Sequence, residues 1–331
     1  MEVVLFMKDI NWAVIGVGVI ANEMVNSLIK DNRNIYSVAN RTQKKAIDFA
    51  NKYNIKKVYD NIDDVFTDSN VDAIYIATPH NTHLNFIKKA IENNKHVLVE
   101  KSITLNSDEL NEVIELANKK NVIIAEAMTI YHMPLYKKIK EVLASNKLGK
   151  INLITMNFGS FKEYDMNNRF FNMNLAGGAM LDIGVYALSF IRYFFTSNPD
   201  KLLSQVMKAK TGVDEQSGLL LTNKEGQMAT VMLSLHSKQP KRAMISCEKG
   251  YIEVMEYPRA TKATITYVDG SNVEVINEGD TSNALLYELL DMEKAIKEKK
   301  NCMFLDYTKD VMDMMTYFRK QWGLKYPEEE L

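Results

Sequence analysis

The stretch from Asn11 to Ala21, NWAVIGVGVIA, decides the fold of this chain. A short apolar run, Trp12 to Ile15, precedes the sequence Gly-Val-Gly, and apolar residues then resume. The pattern predicts a buried parallel strand, a tight glycine turn and the first turn of a helix. Gly16 can adopt backbone angles closed to other residues, and Gly18 places no side chain between a bound pyrophosphate and the helix amides. Ala21 replaces the third glycine of the G-x-G-x-x-G pattern and is small enough for close helix–strand packing.

Strand and helix patterns alternate over the first part of the chain. Apolar runs predict further strands at residues 35–39, 71–77, 97–99 and 122–125, with helical apolar stripes between them. This alternation describes a doubly wound parallel sheet, so residues 1–125 are predicted to form a Rossmann domain. In such a sheet ligands bind at the carboxyl ends of the strands.

Beyond Met128 the pattern changes. In order, the sequence predicts a long strand, a buried helix, a series of short strands and two closing helices: residues 151–161, 177–195, 202–276, 284–300 and 308–323. Short turns force neighbouring strands to run antiparallel. Residues 126–331 are therefore predicted to form a substrate-binding and oligomerisation domain of α+β type on an open, mostly antiparallel sheet. The overall fold class is α/β.

Composition excludes several classes of function. The chain has 41 Lys and Arg against 42 Asp and Glu, so its balance gives no electrostatic reason to expect nucleic acid or a membrane surface as partner. Cys247 and Cys302 form neither a metal pattern nor a disulfide framework, and no metal is predicted. No apolar run approaches the roughly 18 residues of a membrane span, and the start lacks the features of a signal peptide. We expect a soluble cytoplasmic protein.

Two places in the sequence bear on the cofactor, the glycine turn and the end of the second strand. In the glycine turn, the residues predicted to hold the pyrophosphate of NAD(P) are Gly16, Gly18, Val19 and Ile20. A carboxylate about 20 residues further on would bind the ribose hydroxyls of NAD. The chain instead has the uncharged Asn40 and the cationic Arg41 there. This pair favours a 2′-phosphate and therefore NADP. The alternative is a solvated surface arginine at the start of a helix.

Two further loops follow predicted strands at the same sheet edge. The segment Thr78 to His83, TPHNTH, begins where the third strand ends, and Glu100 with Lys101 follows another strand. Five residues of the first loop are predicted to line the nicotinamide end of the cofactor: Thr78, Pro79, His80, Asn81 and His83. The alternative is a helix start with solvated histidines. Glu100 and Lys101 reach the same crevice and are predicted to contact the cofactor, and Lys101 can also hold a substrate oxygen and polarise it as a hydride moves.

A glycine-rich run in the second half, Ala176 to Tyr186, carries a carboxylate and a phenol one helical turn apart. Asp182 and Tyr186 are four residues apart and would share a helix face. The small residues before them would let a substrate or the cofactor approach the backbone. The alternative is a buried helix whose small residues serve packing. That alternative leaves Asp182 unexplained, since a carboxylate within an apolar run is costly unless it is paired.

Four stretches as a set resemble the glucose–fructose oxidoreductase and inositol dehydrogenase (Gfo/Idh/MocA) family along nearly the whole chain. They are residues 16–21, 78–83, 100–101 and 177–186. The closing residues 321–327, QWGLKYP, also look like that family's tail. The resemblance implies a homodimer or homotetramer formed through the open sheet of the second domain. It also implies hydride transfer between NAD(P) and a sugar, polyol or dihydrodiol-like substrate. A catalytically silent NAD(P)-binding regulator and a cofactor-dependent glycosidase are the alternatives.

The resemblance also assigns individual residues. Lys101 matches the family's catalytic lysine and Asp182 its helix aspartate. Tyr186 falls where many members carry histidine, and tyrosine there is similar to the dihydrodiol dehydrogenase branch, which mostly uses NADP. Arg169 matches a cofactor-contacting arginine. Ser102 replaces the proline of the family's Glu-Lys-Pro, so the peptide before it is expected to be trans.

The proton transfer that accompanies a hydride needs a side chain to carry it. Tyr186 is the predicted general acid/base, with Lys101 as its electrostatic partner and Asp182 as the orienting group. A nearby cation favours the phenolate, so Lys101 is expected to lower the pKa of Tyr186 below its ordinary value of about 10.

Overall fold

A computed structural model describes residues 9–270 and 273–329 of the chain. Its first half contains β1 (Trp12–Ile15), α1 (Val19–Lys30), β2 (Ser37–Ala39), α2 (Gln43–Tyr53), β3 (Lys57–Val58), α3 (Asp64–Thr67), β4 (Ala73–Ile76), α4 (His83–Glu92), β5 (His96–Glu100), α5 (Ser107–Lys120) and β6 (Ile124–Ala127). The strands pair in the order β3-β2-β1-β4-β5-β6, and every pair is parallel. The strand order reverses between β1 and β4, where a crevice opens at the carboxyl ends. The predicted Rossmann fold is confirmed.

The second half is built on a larger sheet. It contains α6 (Pro134–Ala144), β7 (Ile151–Gly159), α7 (Val185–Phe194), β8 (Lys201–Lys208), β9 (Asp214–Thr222), β10 (Met228–Ser234), β11 (Gln239–Cys247), β12 (Gly250–Met255), β13 (Lys262–Tyr267), β14 (Glu274–Asn277), α8 (Ala284–Glu298) and α9 (Leu305–Gln321). The strand order is β14-β13-β12-β11-β7-β10-β9-β8. The pairing of β7 with β10 is parallel and the other pairings are antiparallel. The expected mostly antiparallel sheet is confirmed.

The buried helix predicted for residues 177–195 begins later than expected. A π-helical turn, Met180–Gly184, leads directly into α7. The helix does not include Gly178 because that residue has φ +120°, far from helical backbone. Together the π-helical turn and α7 form one continuous element, residues 180–194, which we call the site helix.

The site helix lies within the interior of the protein. Among the described residues, the run Met173–Phe194 has the length and the mean hydropathy, 1.4, of a membrane-crossing helix. However, 78% of the 18-residue window is buried inside the protein. The α7 part packs against α9 and β7, with side chains such as Leu188 and Ile191 fully buried. The run is therefore accounted for as a core helix.

The two closing helices return to the first half of the molecule. α8 packs against α1, and its residues Leu285 and Leu289 join one apolar cluster with Met24 and Leu28. α9 packs against both α5 and the site helix. One face of the Rossmann sheet is thus covered in part by α8, a helix that follows the second sheet in sequence.

Candidate active site

A cleft of about 1110 Å³ runs from the glycine turn to the second sheet. Its first-half lining includes Gly18, Val19, Ile20, Glu23, Thr78, Pro79, His80, Glu100 and Lys101, and its second-half lining includes Phe158, Arg169, Phe170, Asp182, Tyr186, Lys241 and Arg259. Most residues predicted from four separate stretches of sequence therefore meet in one cleft between the two sheets.

The glycine turn gives the cleft an end suited to an anionic cofactor. Gly16 has φ +95°, and a Cβ there would lie 2.4 Å from the backbone oxygen of Ala77, so this turn requires glycine. A Cβ on Gly18 would meet nothing within 4 Å, and the neighbouring Val19 is 79% exposed. The N-cap residue of α1, Gly18, makes no side-chain capping bond within the part of the chain that the structure describes. Unpaired amides at a helix start attract a phosphate, so this chain's residues fit the pyrophosphate of NAD(P).

Asn40 and Arg41 lie at the carboxyl end of β2, just before α2. Asn40 donates from Nδ2 to the backbone oxygen of Thr42 at 3.0 Å, and the Arg41 side chain is exposed. Thr42 is the N-cap of α2 but makes no side-chain capping bond. An arginine and uncapped helix amides therefore lie together where the adenosine ribose of a Rossmann cofactor binds.

Lys101, Asp182 and Tyr186 meet across the cleft. Lys101 donates from Nζ to the backbone oxygen of Asp182 at 2.6 Å and lies 3.3 Å from its Oδ1. The same Nζ lies 4.8 Å from the centre of the Tyr186 ring. Lys101 follows β5 of the first sheet, whereas the other two belong to the site helix. The predicted grouping of a lysine, a carboxylate and a phenol is what the structure shows.

Attraction between Lys101 and Asp182 outweighs the effect of their burial. Burial alone lowers the pKa of Lys101, but the charge of Asp182 raises it, and the net direction is upward. Burial likewise raises the pKa of Asp182, but Lys101 and then Arg169 lower it to about 2. Both side chains are therefore charged at neutral pH. The charged ammonium of Lys101 lies beside the phenol of Tyr186.

The pKa of Tyr186 moves opposite to the sequence-based expectation. Burial raises it, and this effect exceeds the downward pull of Lys101. The expectation of a lowered pKa is therefore wrong, because a phenolate in this enclosed position would lose more hydration than one ammonium replaces. The hydroxyl is protonated at neutral pH, which suits donation of a proton to a carbonyl oxygen.

The peptide between Lys101 and Ser102 is cis, so the expected trans peptide is wrong. Histidine rings contact the carbonyl oxygens of both residues. His80 donates from Nε2 to the oxygen of Lys101 at 3.0 Å, and His83 Nδ1 lies 3.0 Å from the oxygen of Ser102. Ser102 also donates from Oγ to the oxygen of Leu181 at 3.0 Å. These contacts, rather than a proline ring, fix the backbone of this loop.

The two histidines of the TPHNTH loop are placed differently from each other. His80 borders the cleft, and burial, followed by His83 and Lys101, lowers its pKa to about 3. His83 is fully buried, with Nε2 2.9 Å from the oxygen of Thr78, and it does not line the cleft. His83 is therefore not solvated, and its ring lies outside the cleft lining. It holds the loop together.

Two other predicted residues make contacts across the molecule. Asn81 donates to the backbone oxygen of Asn174 at 3.2 Å and to Glu328 at 2.7 Å, outside the cleft lining. Arg169 does line the cleft, with NH1 and NH2 each 3.5 Å from Asp182 Oδ1. Arg169 thus supports the charge of Asp182, while Asn81 connects a cofactor-side loop to the second half.

Arg259 was not found by sequence reasoning. It follows β12, lines the cleft and donates to Glu23 of α1 at 2.8 Å. The contact joins residues 236 positions apart. The short segment Tyr-Pro-Arg carries no motif, so only the packing of the two halves shows that Arg259 reaches the cofactor side.

A Rossmann sheet with a glycine turn, and a lysine and a phenol opposite it, define a dinucleotide-dependent oxidoreductase. A family model described as "Oxidoreductase family, NAD-binding Rossmann fold" matches residues 10–128, and the model of the Gfo/Idh/MocA C-terminal domain matches residues 136–253. Together they cover more than two-thirds of the chain. The protein belongs to the Gfo/Idh/MocA oxidoreductase family, and the resemblance seen in its motifs is confirmed.

Individual relatives agree with this assignment. The trans-1,2-dihydrobenzene-1,2-diol dehydrogenase of Mus musculus is 25% identical over 338 residues, 97% of this chain and 99% of that protein. The enzyme of the same name from Xenopus tropicalis is 29% identical over 247 residues, 73% of this chain and 74% of that protein.

Two solved structures share the fold. KijD10, a 3-ketoreductase from Actinomadura kijaniata in complex with NADP and TDP-benzene, has a TM-score of 0.85 at 18% identity, over 95% of this chain and 98% of that one. Levoglucosan dehydrogenase, in complex with NADH and levoglucosan, has a TM-score of 0.86 at 15% identity, over 96% and 98%. At these identities the likeness shows the architecture of both halves.

Proposed function

We propose that this protein transfers a hydride between NADP(H), used in preference to NAD(H), and a sugar, polyol or dihydrodiol-like substrate. One observation carries the proposal. The Lys101 ammonium lies between Asp182 and Tyr186 in the same cleft as the glycine turn. A bound substrate hydroxyl or carbonyl can then meet a cation, a proton donor and the cofactor end of the cleft at once.

Three residues of the chain have separate roles at the substrate oxygen. When bound, the nicotinamide cofactor supplies or accepts the hydride. Tyr186 moves the matching proton, giving it to the oxygen during reduction and taking it during oxidation. Lys101 stabilises negative charge on that oxygen, and Asp182 holds the ammonium in place. The buried setting strengthens each of these interactions.

The wall of the cleft supports a ring-shaped substrate. Phe158 and Phe170 line it, and the Arg169 guanidinium stacks on the Phe170 ring at 4.1 Å. Apolar faces beside several polar groups suit a molecule with a carbon ring and neighbouring hydroxyls. Such molecules include the dihydrodiol and the anhydrosugar named for two of the relatives.

The proposal is tested by a substrate panel assayed with both cofactors. The panel contains aldoses, polyols, levoglucosan and trans-1,2-dihydrobenzene-1,2-diol, together with ketones of such compounds and simple glycosides, and nicotinamide absorbance is followed in both directions. We expect turnover with at least one vicinal hydroxyl compound or its ketone. Cofactor binding without turnover on any of them would instead support the silent regulator. Cleavage of a glycoside at constant NADPH absorbance would support the cofactor-dependent glycosidase.

Preference for NADP is expected to depend on Arg41. An Arg–phosphate contact should favour NADPH over NADH by about 1.5–3 kcal/mol, and Arg41→Ala should remove most of that difference. Calorimetric titration of each cofactor measures it. Lys119→Ala, in the last turn of α5, serves as the control for a lost surface cation. Equal affinities in the parent protein would contradict the preference.

We also propose that the open face of the second sheet is a contact between copies of this chain. Its exposed side chains include Leu203, Met207, Met232 and Tyr251 on β8, β10 and β12. A large exposed apolar surface of this kind is typical of an interface. Met232→Lys should convert a dimer or tetramer to monomer in size-exclusion chromatography with light scattering, whereas Val268→Lys, in a turn, should not. A monomeric parent protein contradicts this proposal.

A further inference from the structure

The site helix begins without a cap of its own. Residues 176–179 are Ala-Gly-Gly-Ala, so none of them offers a side-chain oxygen. Ala179 occupies the N-cap position and makes no side-chain capping bond. The first amides of a helix lack partners within the helix and need an acceptor from elsewhere when they are buried.

Asp214 supplies that acceptor from another part of the chain. It is the first residue of β9 and is fully buried. Its Oδ2 accepts a hydrogen bond from the Met180 amide at 2.6 Å, and the Ala179 amide also stabilises the carboxylate. A Cβ on Gly178 would lie 2.1 Å from Asp214 Oδ1, so the absence of a side chain there gives the carboxyl group its place.

The bond to Met180 acts close to the site. Asp182 lies two residues further along the same turn, and its backbone oxygen accepts from Lys101 Nζ at 2.6 Å. Tyr186 follows one turn later on the same continuous helix. A shift of the first turn would therefore move the carbonyl and the carboxylate that hold Lys101, and the phenol beside it.

We propose that Asp214 is a positioning residue, which caps the site helix through the Met180 amide and so fixes Asp182 and Tyr186 relative to Lys101. Asp214 lines no part of the cleft, so it acts only through the helix. The effect of Asp214 on catalysis rests on the proposed function. The effect of Asp214 on the helix is independent of the proposed function.

The surroundings of Asp214 indicate that the hydrogen bond matters more than a full negative charge. Burial raises the pKa of Asp214 to about 7, although the Met180 amide pulls it down. Arg319 and Tyr326 are the titratable groups that act on it from α9 and the tail. A neutral side chain of the same shape, with an oxygen that accepts from the Met180 amide, should therefore serve nearly as well.

Three variants separate capping from general stability. Asp214→Ala removes the acceptor, and Asp214→Asn keeps an oxygen in the same place. Glu293→Ala is the matched control, because Glu293 is also a buried carboxylate that accepts from Trp12 Nε1 at 3.2 Å and pairs with Arg33 at 2.7 Å, away from the cleft. Each is measured for NADPH affinity, for kcat and KM on the best panel substrate, and for amide hydrogen exchange in residues 180–186.

For Asp214→Ala we expect exchange in residues 180–186 to rise about tenfold, since a cap is lost. We expect kcat to fall about 10–100-fold, as for a displaced catalytic group, with NADPH affinity unchanged. Asp214→Asn should restore the parental hydrogen exchange and kcat, and Glu293→Ala should leave hydrogen exchange and kcat as in the parent protein. The KM for the substrate should change less than kcat, because the cleft wall remains.

Other results overturn the inference. Unchanged exchange in Asp214→Ala shows that Asp214 does not hold the turn, whether or not any substrate is turned over. Raised exchange with unchanged kcat limits Asp214 to stability. Failure of Asp214→Asn to restore exchange contradicts capping by hydrogen bond. If the parent protein turns over no substrate, the proposed function fails, and hydrogen exchange still decides the role of Asp214.

Discussion

Tyr186→Phe is expected to lower kcat by about 10²–10⁴-fold, the usual contribution of a positioned acid or base. The ring keeps its packing against Phe158, with ring centres 6.2 Å apart in the parent protein, and only the hydroxyl is lost. NADPH affinity and thermal stability should stay close to those of the parent protein. Steady-state kinetics in both directions measure the effect.

The pH dependence gives an independent readout for Tyr186. Because burial raises its pKa above the ordinary value, the hydroxyl stays protonated through the neutral range. The rate of reduction should therefore be flat near neutrality and fall at high pH, while the rate of oxidation should rise with pH as the phenolate forms. In the Phe variant both dependences should disappear.

Tyr193→Phe is the matched control, because it removes the same hydroxyl from the same helix, seven residues further along and outside the cleft lining. Tyr193 is buried among aromatic rings, including Tyr131 at 5.9 Å. This variant should keep parental kcat. Two results would contradict the proposed mechanism and assign Tyr186 to the core. One is parental turnover in Tyr186→Phe, and the other is unfolding of Tyr186→Phe but not of Tyr193→Phe.

Lys101→Met should reduce turnover at least about 100-fold, since it removes the cation that stabilises charge on the reacting oxygen. Lys101 Nζ also donates to Asp182, so the Met side chain leaves that carboxylate with Arg169 as its remaining cation at 3.5 Å. The charge of Asp182 should then be less well stabilised, and its pKa should rise. Cofactor affinity, which depends on the glycine turn, should change little.

Lys95→Met separates this effect from the loss of any buried lysine. Lys95 donates to the backbone oxygens of Asp68 and Val71 at 2.6 and 2.8 Å, and it does not line the cleft. Both variants should lose stability on thermal melting. Only Lys101→Met should lose turnover, so equal kcat values in the two variants would place Lys101 in a structural ion pair.

Local pattern was sufficient for the fold and for much of the site. Apolar periodicity and the glycine turn predicted the parallel sheet, because these depend on neighbours within a few residues. Lys101 and Tyr186 were found because each lies in a recognisable motif at the end of a strand or on a helix. Their meeting could be inferred only from the convergence of strand ends on one crevice.

The remaining features depend on contacts between distant parts of the chain. The pKa of Tyr186 was predicted in the wrong direction because the extent of burial is set by the packing of two sheets. The Lys101–Ser102 segment contacts His80, His83 and Leu181, up to 79 positions away, and no local pattern predicts these contacts. Asp214 reaches Met180 across 34 positions, and no local pattern marks either residue as its partner.

The return of α8 to the first half affects how a nascent chain acquires its structure. Leu285 and Leu289 complete the apolar cluster that contains Met24 and Leu28. During synthesis these α1 side chains leave the ribosome long before their partners on α8 are made. The first half therefore keeps part of this apolar cluster uncovered, and accessible to chaperones, until residues 284–298 have been translated.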